Sequence, residues 1–223
     1  MTLRKYLLTT CLSAVLLLAS PLFATVSLPL NFEFSGDTPP EGPPSWVTIF
    51  FENGPSPGTV AVTVDNSGLT DAEYLSELYL NLNPSFSPAS LGFIEGPKIG
   101  AFTTPAFAAS SDAYKADGDG YFDVLLSFAH KNSTPTSRFG ADEIFSFTIT
   151  GPAGMTFMAF GTYSAPGGGH GPFLAAAHIQ AIGPENEDGG WIATEGGVDP
   201  FPEPATLLLL GAGSVGVLAR RRR

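Results

Sequence analysis

Val26-Ser-Leu-Pro-Leu-Asn-Phe-Glu-Phe34 sets large apolar side chains at every second position, with Ser27, Pro29, Asn31 and Glu33 between them. A period of two is the signature of a strand with one buried face, because successive side chains point to opposite sides of a sheet. The same alternation returns in Val60-Ala-Val-Thr-Val64 and in Leu78-Tyr-Leu-Asn-Leu82. Further β-rich runs span residues 46–51, 121–128, 144–150, 155–160, 174–182 and 191–194. The alanines of residues 174–182 leave a helix open there as an alternative.

Between these runs lie Gly- and Pro-rich turn clusters, at residues 35–44, 53–58, 65–68 and 167–169. Short strands punctuated this regularly predict an all-β, antiparallel β-sandwich or jelly-roll-like domain. Thr70, with Glu73 three residues on, has the pattern of a capping box and predicts a single helical turn over residues 70–75. No internal repeat is visible. Composition agrees with a packed fold: 18 Phe, 6 Tyr and 2 Trp supply enough apolar surface to argue against disorder. A length of 223 residues accommodates one ordinary domain with appendages.

The two ends read as addresses. Arg4 and Lys5 precede the apolar run Leu7–Leu18, followed by Ser20, Pro21 and Ala24. This is the layout of a secretory signal peptide over residues 1–24, with signal peptidase cleavage expected after Ala24. The only cysteine, Cys11, lies inside that segment, so the mature chain is expected to hold no disulfide, thiolate metal site or cysteine nucleophile. At the other end, Pro202-Glu203-Pro204 precedes a charge-free apolar stretch over residues 205–219, expected to form a single hydrophobic helix. Arg220, Arg221, Arg222 and Arg223 close the chain. The positive-inside tendency keeps those arginines cytoplasmic and places the bulk of the chain across the membrane, as the signal peptide also demands.

This order of parts resembles the PEP-CTERM sorting signal of Gram-negative bacteria. The resemblance implies transient anchoring in the inner membrane and recognition by an exosortase near Pro202, Glu203 and Pro204. It also implies delivery to the cell surface or the extracellular exopolysaccharide matrix. The expected organisation is therefore a signal peptide (1–24), a β-sandwich ectodomain (25–184), an acidic Gly/Pro-rich linker (185–201) and the sorting signal (202–223). Within the tail, Gly211-Ala-Gly-Ser-Val-Gly216 matches a dinucleotide-binding fingerprint, but only seven residues follow it, too few for the helix and acidic residue that motif needs.

Charge narrows the partners. The formal net charge is −11, and residues 25–199 carry 20 acids against Lys98, Lys115, Lys131 and Arg138. Such a surface excludes a nucleic-acid reader, which requires clustered cations. Asp117-Gly-Asp-Gly-Tyr-Phe-Asp123 spaces carboxylates around glycines, and Asp117, Asp119 and Asp123 are a candidate calcium set. The spacing is not that of an EF-hand, and an ordinary acidic turn entering a strand is the competing reading. His130, His170 and His178 have no neighbours at zinc-ligand spacing, and no G-x-S-x-G elbow supports a serine hydrolase. A sugar-stacking platform is open to Trp46, Phe50, Phe51, Tyr121, Phe122, Tyr163 and Phe173, of which one in each adjacent pair must face away from the core. The expected function is non-enzymatic: a structural, adhesive or biofilm-exopolysaccharide-associated surface protein. The alternatives are a carbohydrate-binding module with a structural calcium and, further off, a hydrolase acting on a matrix polymer.

Overall fold

The structure is a computed structural model that describes residues 25–130 and 137–194. The signal peptide with its cleavage site after Ala24, the Pro202-Glu203-Pro204 motif, the apolar tail and the arginines 220–223 lie outside the described residues.

Among the described residues, twelve strands build two antiparallel sheets packed face to face. They are β1 (Val26–Leu30), β2 (Phe32–Ser35), β3 (Val47–Asn53), β4 (Thr59–Asp65), β5 (Tyr74–Leu80) and β6 (Gly92–Ile99), followed by β7 (Ala106–Ala116), β8 (Asp119–Ser127), β9 (Phe139–Gly140), β10 (Ile144–Thr150), β11 (Ala175–Ile182) and β12 (Asp188–Ala193). One sheet runs β1-β3-β4-β10-β6. The other runs β2-β12-β11-β5-β8-β7, with β9 pairing the start of β5. This is the all-β antiparallel sandwich that the two-residue period predicts.

The alternation works as expected where a strand has one buried face. Val26, Leu28 and Leu30 point inward, as do Val60, Val62 and Val64, and Phe145, Phe147 and Ile149. They meet Leu75, Leu78, Leu80, Val124, Leu126, Ile179 and Ile192 from the opposite sheet in one continuous core. At one end of that core six phenylalanines cluster. Phe145 lies 5.5 Å from Phe102 edge-on, 5.2 Å from Phe147, and within 6.3 Å of Phe93, Phe128 and Phe139.

The opening stretch is not one strand. The chain breaks at Asn31, whose N–H donates to the Ala193 carbonyl, and crosses from one sheet to the other. Leu30 therefore belongs to the main core, while Phe34 packs in a second, smaller cluster. Residues 155–160 also differ from expectation: Phe157–Phe160 form a 3-10 turn whose rings plug the sandwich end, with Phe160 stacked 5.4 Å from Phe51. The capping pattern at Thr70 closes a turn, not a helix. Glu73 accepts from the Thr70 N–H at 2.8 Å and from the Glu41 N–H at 2.7 Å, and the chain then enters β5 directly. Within residues 174–182, Ala175–Ile182 form a strand and not the alternative helix.

The folded body also reaches further than expected. Asp188–Ala193 pairs with both β11 and β2, so the stretch from residue 185 to Thr194 is part of the sandwich and not linker. Besides the two-residue β9, two strands have no counterpart in the hydrophobic pattern, β6 and β7. Both are sheet edges, and Gly96, Pro97 and Lys98 in β6 are residues that blunt an edge against further pairing.

The two outer faces are treated differently. The hairpin of β7 and β8 loses regular register between Ala109 and Tyr114 and brings its far half over the seven-stranded sheet. There Ala116 and Phe122 join Phe34, Tyr79, Phe173, Ala176 and Ala193 in the second cluster. Among the described residues, the outer face of the five-stranded sheet, carrying Thr48, Phe50, Thr63, Ser146 and Thr148, has no such cluster over it.

Candidate functional site

The Asp117–Asp123 motif resolves into a hairpin turn. Asp117 (φ 49°) and Gly118 (φ 82°) occupy its two central positions, with Ala116 paired to Asp119. Positive φ at both central residues is the type I′ geometry that suits the twist of a β-hairpin, and Asp-Gly is a preferred pair for it. The three carboxylates then part company. Asp117 accepts a short hydrogen bond from the Ser35 hydroxyl. Asp123 accepts from the Leu82 N–H at 2.9 Å and from the Asp112 N–H at 2.9 Å. Asp119 accepts from the N–H groups of Gly169 and His170 and from His170 Nδ1 at 2.9 Å.

Asp119 and Asp123 are four residues apart on an extended strand, a run of about 13 Å, too far to share one ion without a chain reversal. Among the described residues no group of three His, Cys, Asp or Glu side chains is placed to hold a metal ion. Asp117, Asp119 and Asp123, the candidate calcium set, instead make three separate structural contacts, and the motif is the competing reading, an acidic turn entering a strand.

Asp119 is a clasp. It is nearly buried, and it ties the start of β8 to the loop of residues 165–173 that lies over the outer face. Burial pushes its carboxyl up, but the hydrogen bonds from His170 and Gly169 outweigh this and hold it below the ordinary aspartate value. The fit requires glycine at residue 168, where φ is +68° and an added Cβ would fall 1.7 Å from Asp119 Oδ1. A histidine oriented by aspartate is half of a hydrolytic triad, yet among the described residues no hydroxyl hydrogen-bonds His170.

The aromatic platform does not assemble either. Trp46, Phe51, Phe122 and Phe173 are buried, each in one of the two clusters. Phe50 and Tyr121 are the half-exposed partners in their adjacent pairs, and Tyr163 is exposed, but they lie on different elements.

What the structure does assemble is a cleft of 890 Å³ on the seven-stranded sheet, at the end closed by the β11–β12 turn. Its wall comes from Tyr74 on β5, Arg138 before β9, His178 and Gln180 on β11, and Asn186, Glu187 and Asp188 at the turn into β12. The register explains the meeting, since Gln180 lies opposite Tyr74 on one side and Gly189 on the other. An irregularity in β11, with Ala181 at φ 61°, bends the strand at the cleft floor.

The polar groups are held in place. The Arg138 guanidinium lies 4.4 Å above the Tyr74 ring, and the Tyr74 hydroxyl donates to Gln180 Oε1. His178 stacks on Trp191 with centroids 4.2 Å apart and planes 4° from parallel. Burial pushes the His178 imidazole below its ordinary pKa, against the opposing pull of Glu77 and Asp117, so it is neutral at neutral pH. Burial raises the Tyr74 phenol in spite of nearby Arg138, so that hydroxyl keeps its proton. Trp191 is visible in the sequence as an apolar residue of the last run. The cleft is not, because its members are spread from residue 72 to residue 189.

The described residues form an all-β antiparallel sandwich with a polar cleft on its seven-stranded sheet. At residues 202–223 the chain carries the PEP-CTERM protein-sorting motif. That motif implies export, membrane-anchored sorting to the cell surface and processing by an exosortase. The chain matches no curated protein.

Three solved structures show a distant likeness. One is a family 3b carbohydrate-binding module of a scaffoldin from the Bacteroides cellulosolvens cellulosome, at 13% identity and TM-score 0.29, covering 59% of this chain and 89% of that one. Another is a CBM3 of Hungateiclostridium clariflavum, at 10% identity and TM-score 0.30, covering 74% and 95%. The third is a biomass-sensing module of an Rsgi-like protein of Clostridium thermocellum, at 13% identity and TM-score 0.29, covering 70% and 92%.

Proposed function

We propose that this chain is a non-enzymatic structural or adhesive protein of the outer cell surface or exopolysaccharide matrix of a Gram-negative bacterium. The observation that carries the reading is the sorting motif at residues 202–223, behind a strongly acidic sandwich that has a signal-peptide pattern in front of it. The chain crosses the inner membrane, is held there by its tail, and loses that tail near Pro202-Glu203-Pro204. The released domain resists self-association through its surplus of acids, a property suited to a hydrated matrix.

Intact-mass measurement of the exported protein tests this. The expected mass lacks the residues before Thr25 and those following the Pro202–Pro204 region. Full-length chain recovered outside the cell with Arg220 to Arg223 attached would overturn it.

A second reading, a carbohydrate-binding module, is favoured by the cleft. Its donors and acceptors are concave, preorganised and close to aromatic rings, which is how proteins meet polyhydroxylated ligands.

A further inference from the structure

We propose that the cleft between β5, Arg138 and the β11–β12 turn binds a neutral hexose unit of an extracellular polysaccharide. The inference rests on the second reading above and gives it a site and a ligand class.

A sugar hydroxyl is at once donor and acceptor, so a wall that recognises it needs both kinds of group within reach of one another. This wall has both. Arg138 supplies guanidinium N–H groups, kept flat by the Tyr74 ring beneath them. Gln180 spends its carbonyl oxygen on the Tyr74 hydroxyl, which fixes the amide and leaves its NH2 to donate. Glu187 and Asp188 are exposed carboxylates on the opposite rim and accept. His178, neutral and pinned on Trp191, contributes one donor and one acceptor. Three of these groups are thus immobilised by rings before any ligand arrives, which lowers the ordering cost of binding.

Other ligand classes fit less well. Among the described residues, a phosphate or polyanion would meet one cation in the cleft, Arg138, together with the carboxylates of Glu187 and Asp188, in a domain whose residues 25–199 hold 20 acids. An apolar ligand would desolvate the Gln180 amide and the Glu187 and Asp188 carboxylates without replacing their water. The volume of 890 Å³ lies within the range of ligand clefts and accommodates a hexose unit.

Affinity electrophoresis of the exported protein tests the proposal, in native gels cast with dextran, laminarin or galactomannan as neutral polymers and alginate as the polyanion. Retardation is expected in at least one neutral gel. Arg138→Ala and Gln180→Ala are each expected to weaken it by about tenfold, the loss of one hydrogen-bonding group to a charged or fixed partner. Glu187→Gln and Asp188→Asn alter exposed rim carboxylates outside the core and are expected to weaken it about threefold, so the outcome does not depend on the folding of variants at the half-buried Arg138 and Gln180. No retardation in any neutral gel overturns both the site and the carbohydrate-binding reading. Retardation that all four variants leave unchanged overturns the cleft alone. Stronger retardation by alginate overturns the neutral ligand class.

Discussion

Phe145→Ala is expected to destabilise the domain by about 3–5 kcal/mol, the largest single-residue effect in the molecule. Phe145 is fully buried, on a central strand of the five-stranded sheet, with Phe93, Phe102, Phe128, Phe139 and Phe147 around it. Removing the ring leaves a cavity walled by other rings, which close in poorly because each is itself wedged between neighbours. Its edge-on contact with Phe102 is lost as well. Phe145→Leu keeps much of the volume and is expected to cost less than half as much. Urea unfolding followed by fluorescence measures both, and a cost for Phe145→Ala below about 1.5 kcal/mol would show that the cluster is loosely packed.

Asp119→Ala is expected to cost about 3 kcal/mol, since one carboxylate satisfies three donors at once: two backbone N–H groups and the His170 ring. The loss is expected to be local. Residues 165–173 should become sensitive to protease and exchange their amide protons faster, while the main core keeps its protection. Asp119→Asn retains an acceptor and is expected to cost about half as much.

The clasp also predicts an acid response. The folded-state pKa of Asp119 is depressed, so its contribution is fully present above the unfolded value of about 3.9 and is lost as pH falls through the lower folded value. Stability of the wild-type protein should therefore decline below about pH 4 more steeply than that of Asp119→Ala. Parallel declines would remove Asp119 as the source.

The residues that could be read in advance are those whose neighbours along the chain carry the information. Val60, Val62 and Val64 announce a half-buried strand because alternation is local, and the tail motif is legible because its three parts are contiguous. β6 and β7 escaped notice because an edge strand needs no apolar alternation, and their Gly, Pro, Ser and Ala content reads as loop. The break at Asn31 was hidden because hydrophobic alternation continues across it: Leu30 and Phe34 are both buried, but in different clusters.

The Asp-rich motif shows the opposite difficulty. Asp117-Gly118 is a hairpin turn by its own dihedrals, whereas the fate of each carboxylate is decided by Ser35, Leu82 and Gly169, residues far away in the chain. The cleft was illegible for the same reason. Only strand register brings Tyr74, Arg138 and Gln180 to one place.

Strand β12 has a polarity that bears on how a cell would display this domain. It begins at the cleft with Asp188 and ends at Ala193, after which Thr194 is tied to Ala175 and Leu174 and the chain departs toward its tail. Six residues of extended chain separate the two by about 20 Å. Any tether pulling on the C-terminal side therefore grips the sandwich at one pole and leaves the cleft at the other. A tether attached beyond Thr194 therefore need not cover the cleft.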